Sequence, residues 1–135
     1  MIKKVASLLC AVVLSTSFAV GNVASAAVIL TDSPAYSYTH ECSSDLSISG
    51  TTATCYSSVT GYYNETTKIV IVQTLQKKNS SGNWYDVCSW NSTIYNYRGS
   101  LTNTKSSLSS GTYRLKTVAT VYAGTENETI TKYSK

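Results

Sequence analysis

Residues 68–91 read KIVIVQTLQKKNSSGNWYDVCSWN. Ile69 to Val72 are apolar without a break and mostly β-branched, which favours extended backbone. A short apolar run of this kind, bounded by turn residues, marks a central strand of a sheet covered on both faces. NSSGN, residues 79–83, holds Asn, Ser and Gly and reads as a turn. WYDVCSWN, residues 84–91, is then the returning strand of a hairpin. With even pairing across that turn, Val87 shares the core with Leu75. Cys88 then points outward with Trp84, Asp86 and Trp90.

Working outward, the same two-residue period recurs. CSSDLSIS places Leu46 and Ile48 on one face, and GTTATCYSSVTG places Ala53, Cys55 and Val59 on one face. Between them Gly50-Thr51 fits a two-residue II′ hairpin loop with Gly first. That loop sets Ser49 opposite Thr52 and Leu46 opposite Cys55. GYYNETT is a connection. STIYNYRGSLTNTKSSLSSG is the least periodic part, with room for one or two weak strands near Ile94–Tyr97 and Leu101. TYRLKTVATVY alternates again, AGTEN turns, and ETITKYS ends the chain. No stretch past residue 26 shows a capped helical period. Seven or eight short strands at this spacing predict an all-β, single-domain β-sandwich over residues 42–135, immunoglobulin-like in the broad sense. A small closed β-barrel is the alternative. In SGTYRLK, Tyr113 follows a Gly-led turn, as in the tyrosine corner of such sandwiches; an ordinary core-facing Tyr fits as well.

LSISGTTATC, GYYNETTKIVI, LQKKNSSGNWYDVCSW and SSGTYRLKTVATVYAGTENETITKYS together resemble a family of small secreted proteins from Gram-positive bacteria, known as a domain of unknown function. The similarity spans residues 46–134. It implies export and one β-rich domain, and it brings no catalytic residue with it.

The N-terminus supports export independently. Lys3 and Lys4 precede an apolar stretch from Val5 to Val20, and Ala24-Ser25-Ala26 is a small-x-small cleavage site. Residues 1–26 therefore read as a signal peptide cut near Ala26-Ala27. Residues 27–41 read as an irregular arm. The Ser- and Thr-interrupted apolar core is short for a membrane span, so none is expected. The formal net charge of +4 falls to +2 without Lys3 and Lys4, and the remaining basic residues form no stripe, which argues against nucleic acid.

Chemistry finds little support. His40 is the only histidine, so a nucleophile–His–carboxylate site depends on it alone. Glu126 and Glu128 share a strand face and are too close to straddle a sugar. Cys42, Cys55, Cys88 and His40 lack the paired spacing of a zinc site. The chain is expected to be no enzyme and to need no metal or cofactor. Asn64, Asn79, Asn91 and Asn127 each begin an Asn-x-Ser/Thr sequon, a by-product of Ser/Thr richness if the protein is bacterial.

The aromatic residues point to binding. Tyr62 and Tyr63 lie in one connection and Tyr95 and Tyr97 in another, while Trp84 and Trp90 flank a strand. Tyr beside Ser, Asn and Gly makes adaptable contact surface. The reading is a secreted binding module for polysaccharide, cell wall or a cell-surface protein. A small toxin or bacteriocin-like effector and a self-assembling surface protein are the alternatives.

Signal cleavage removes Cys10 and leaves Cys42, Cys55 and Cys88, an odd number. The expected hairpin register holds Cys42 and Cys55 about 13 Å apart along the strands, beyond disulfide reach. Cys42–Cys88 is the expected bond and Cys55 the buried free thiol. Cys55–Cys88 is the rival, if a bulge turns Cys88 inward.

Overall fold

The computed structural model describes residues 36–135. The signal-peptide expectation and most of the N-terminal arm lie outside the described residues. Seven strands follow in order: β1 Thr39–Ser49, β2 Thr52–Gly61, β3 Lys68–Lys78, β4 Trp84–Ile94, β5 Arg98–Lys105, β6 Tyr113–Ala123 and β7 Glu126–Tyr133. They form two antiparallel sheets, ordered β1-β2-β5 and β4-β3-β6-β7. Neither sheet closes on itself, so the fold is the sandwich and not the barrel. The chain changes sheet after β2, after β4 and after β5, giving the crossed connections of an immunoglobulin-like sandwich. Among the described residues no helix is long and apolar enough to cross a membrane.

The first hairpin has the expected register, with Ser49 opposite Thr52 and Leu46 opposite Cys55. Gly50 has φ +59°, the left-handed first position that a II′ loop requires. The arm ends earlier than the sequence pattern implied: His40 and Glu41 belong to β1, which pairs with β2 from Thr39 onward. The weakly patterned segment after Trp90 supplies the end of β4 and all of β5.

The second hairpin departs from even pairing. A bulge between Leu75 and Gln76 sets Leu75 opposite Cys88 and Gln76 opposite Asp86, so Val87 has no partner. One extra residue in a strand reverses the facing of everything beyond it. Cys88 and Trp90 therefore turn inward, opposite Leu75 and Gln73, and only Trp84 and Asp86 keep the outward facing expected of all four. β3 is an interior strand, but only its inner face is covered. Val70 and Val72 on its outer face remain partly exposed, with Val118 of β6 beside Val72.

The core has two apolar clusters. One joins Val59, Ile69, Ile71, Ala119 and Val121. The other joins Ala53, Cys55, Leu75 and Leu115, with Leu46, Val87, Cys88 and Trp90 packed against it. Each fully buried Ile or Leu contributes about 2 kcal/mol by leaving water. Between the clusters lies a buried polar layer. Gln73 is fully buried; its Nε2 donates to Ser57 Oγ at 2.9 Å and to the Leu101 carbonyl at 2.8 Å, and its Oε1 accepts from Asn103 Nδ2 at 2.9 Å. Ser57 Oγ and Thr117 Oγ1 share a bond of 2.7 Å, and Thr117 Oγ1 donates to Ser44 Oγ at 2.8 Å. A buried amide is tolerated only when its hydrogen bonds are made. This layer ties both sheets at one level and makes a slipped packing costly.

Two further features lock the frame. Tyr113 Oη donates to the Ser109 carbonyl at 2.7 Å, the bond that defines a tyrosine corner. The backbone N–H groups of Ser37 and Tyr38 donate to the Glu128 carboxylate at 2.8 and 2.9 Å, which fastens the chain before β1 to β7.

Candidate functional site

The β2–β3 and β4–β5 connections leave the same end of the sandwich and touch there. The Gly61 N–H donates to the Tyr97 carbonyl at 2.6 Å. The β2–β3 connection is a compact turn in which the N–H groups of Glu65 and Thr66 both donate to the Tyr62 carbonyl. Thr66 Oγ1 accepts from the Tyr62 N–H at 3.0 Å. A side chain at Gly61 would collide with Thr66, so this glycine permits the close return. Asn64 sits at φ 71°, a left-handed position that Asn tolerates better than most residues. In the other connection Asn96 Oδ1 accepts from the Tyr97 N–H at 2.7 Å.

This backbone frame brings tyrosines from separate connections together. The rings of Tyr63 and Tyr97 lie edge to face, 5.2 Å between centroids and 82° between planes. The Arg98 guanidinium sits 5.5 Å from the Tyr97 ring centre. Tyr62 and the His40 imidazole lie edge to face, 6.1 Å between ring centroids and 60° between planes. Tyr63 is 71% and Tyr95 80% exposed, against 38% for Tyr62. Large aromatic rings left in water cost solvation that a ligand's contact would recover. Tyr63 and Tyr97 thus form one unit with Arg98 at its margin, while Tyr62, the preceding residue of the same connection, lies against His40; Tyr95 belongs to the same connection as Tyr97 and is the most exposed of the four.

The two tryptophans lie elsewhere. β4 runs from Trp84 to Ile94, so Trp84 stands about 33 Å along the strand from the tyrosines. Its ring already carries Arg114 at 4.3 Å and Lys78 at 5.6 Å. Arg114 also lies 4.1 Å from the Tyr133 ring centre and donates through Nε to Gln76 Oε1. Trp84 is thereby a structural cross-strand stack. Trp90 packs against the second core cluster. Neither extends the tyrosine patch.

Cys42, Cys55 and Cys88, the cysteines among the described residues, are free. No Cα of β4 comes within 8 Å of a Cα of β1 or β2, whereas a disulfide needs about 7 Å or less. The expected Cys42–Cys88 bond is therefore not formed, and its rival Cys55–Cys88 is also out of reach, although the bulge does put Cys88 in the same cluster as Cys55. Cys55 is wholly buried. Burial, helped by the neighbouring Cys88 thiol, pushes its pKa up to about 11. Burial also raises Cys42 against the pull of Lys132, and Cys88 against that of Lys105. Thiols held protonated are poor nucleophiles and poor metal ligands. Among the described residues no three His, Cys, Asp or Glu side chains gather into a metal-holding group.

Sequence reasoning passed over Gln73, Ser57 and Thr117. Their signal was present: each interrupts the inward-facing apolar series of its strand, and all three interruptions fall at one level. The hydroxyl-rich β5–β6 connection was likewise not singled out.

No family model matches the chain, and no curated protein matches it. Among solved structures the chain is similar to CsgH of R. palustris, with a TM-score of 0.38 and 15% sequence identity over 67% of this chain and 88% of that one.

Proposed function

We propose that the protein is a secreted, non-catalytic binding module that takes its ligand on the tyrosine patch formed by Tyr62, Tyr63 and Tyr97, with Tyr95 beside it. The observation that carries this reading is the pairing of an exposed Tyr63 with a half-buried Tyr97, from two different connections, into one edge-to-face unit on a hydrogen-bonded frame. A pre-formed aromatic surface loses little entropy on binding. Its flat rings suit the apolar faces of sugar rings, while tyrosine hydroxyls, Asn96 and Arg98 suit their polar edges. The ligand class is cell-surface or cell-wall polysaccharide, in keeping with the exported Gram-positive family the sequence resembles. A non-catalytic role fits an exposed His40 held by an aromatic edge and thiols held protonated.

A glycan array together with a cell-wall pull-down tests the reading. The full chain retains a defined glycan, and replacement of Tyr62, Tyr63, Tyr95 and Tyr97 by Ala abolishes retention while the fold persists. Retention unaffected by the four replacements refutes it.

A further inference from the structure

The end of the sandwich opposite the tyrosine patch holds a second feature. Beyond Leu75 the inner face of the larger sheet continues for one more rung: Tyr85 of β4 opposite Lys77 of β3, and Lys77 opposite Tyr113 of β6. The core has ended there, and the rung faces the β5–β6 connection. The space between is a cleft of about 300 Å³, with Lys105, Ser107 and Ser109 on the far wall. A neighbouring cleft of about 190 Å³ continues past Ser109 towards Gly50 and Thr51.

Lys77 is held in place within this cleft. Its Nζ donates to Ser109 Oγ at 2.6 Å, and its cation lies 5.5 Å from the Tyr113 ring centre. The stem crosses Gly111, where an added Cβ would fall 2.5 Å from Lys77 Cε. Gly111 has φ +150° and Ser107 has φ +58°. A left-handed residue that carries a Cβ is a strained choice, kept where the surroundings enforce it and frequent at ligand sites. Lys77 is thus half-buried and hydrogen-bonded to a neutral hydroxyl. Asp86 also borders the cleft, but its Oδ1 is engaged by Gln76 Nε2 at 2.8 Å. Two lysines against one partly engaged carboxylate leave the cleft net positive, flanked by tyrosine rings and serine hydroxyls.

We propose that this cleft binds a single anionic group carried on a sugar ring, the anion between Lys77 and Lys105 and the ring against Tyr85 and Tyr113. Both a sugar acid and a sugar phosphate have that chemistry. The site is distinct from the tyrosine patch and does not depend on it.

Amide NMR titrations of the full chain with a galacturonate trisaccharide, with glucose 6-phosphate and with a neutral galactose trisaccharide test the proposal. Either anionic probe moves the amides of Lys77, Ser107, Ser109 and Tyr113, and the neutral trisaccharide does not. Response to the uronate alone assigns a sugar acid, and response to the phosphate alone assigns a phosphorylated sugar. Lys77→Gln and Lys105→Gln each weaken the anionic probe by about fivefold, the size of a solvent-screened charge contact, with the rest of the amide spectrum unchanged. Tyr63→Ala, at the other end, leaves this titration as it was. The proposal is overturned by equal shifts with the neutral trisaccharide, by no shift with either anion, or by unchanged affinity in both lysine variants.

Discussion

Leu75 faces Cys88 across the β3–β4 ladder, and Val87 stands unpaired in the bulge beside them. This one extra residue decides the environment of the β4 thiol. It turns Cys88 toward the cluster that contains Cys55, yet the strands that carry the two stay too far apart for a bond. Peptide mapping of the full chain after alkylation in denaturant should recover Cys42, Cys55 and Cys88 as three separate thiols. In native buffer Cys55 should react last, at the rate of unfolding, because it is fully buried and its thiolate is disfavoured. An intact Cys55–Cys88 or Cys42–Cys88 cross-link would contradict the separation of β4 from β1 and β2.

Gln73 is the centre of the polar layer. Gln73→Leu removes the donor to Ser57 and Leu101 and the acceptor for Asn103, leaving buried groups without partners. The expected loss is about 2 kcal/mol in urea unfolding, with an unchanged dependence on denaturant. A neutral or stabilising result would mean that the two sheets repack into a continuous apolar core.

Glu128 links stability to pH. Burial tends to raise its pKa, but the adjacent Thr39 and the hydrogen bonds from the backbone N–H groups of Ser37 and Tyr38 outweigh it and lower the value below the usual 4.5. A carboxyl with a depressed folded pKa stabilises the protein fully above its unfolded pKa, and the contribution disappears as pH falls through the folded value. Thermal midpoints measured from neutral pH down through the carboxylate range should therefore fall less steeply in Glu128→Gln than in the wild type. The variant should also expose the backbone amides of Ser37 and Tyr38 to faster hydrogen exchange.

Much of this architecture was legible in the residues. Alternation in TATCYSSV and TYRLKTVATVY placed β2 and β6 correctly, because one face of each is buried and the other is wet. Gly50 gave the first hairpin register because a positive φ at that position admits few other residues. The second hairpin failed at Val87, since a bulge adds a residue without any composition mark. The uninterrupted apolar run at Ile69–Val72 suggested a sheet covered on both faces, yet Val70 and Val72 face outward in part. Short apolar runs signal strand well and the number of covered faces poorly. The tyrosines of the patch were visible as two Tyr-bearing connections. Their meeting was not, because it depends on which connections share an end of the sandwich. The tryptophans misled for a related reason: cross-strand neighbours such as Arg114 and Tyr133 appear only once the register is known.

The central claim is that Tyr63 and Tyr97 form the ligand surface. Retention of the full chain on purified Gram-positive cell wall, compared between wild type and the Tyr63→Ala/Tyr97→Ala double variant at matched folded concentration, tests it most directly. The expected result is wild-type retention and a loss of about tenfold or more in affinity for the double variant, with its thermal midpoint little changed. Equal retention of the two proteins would contradict the claim.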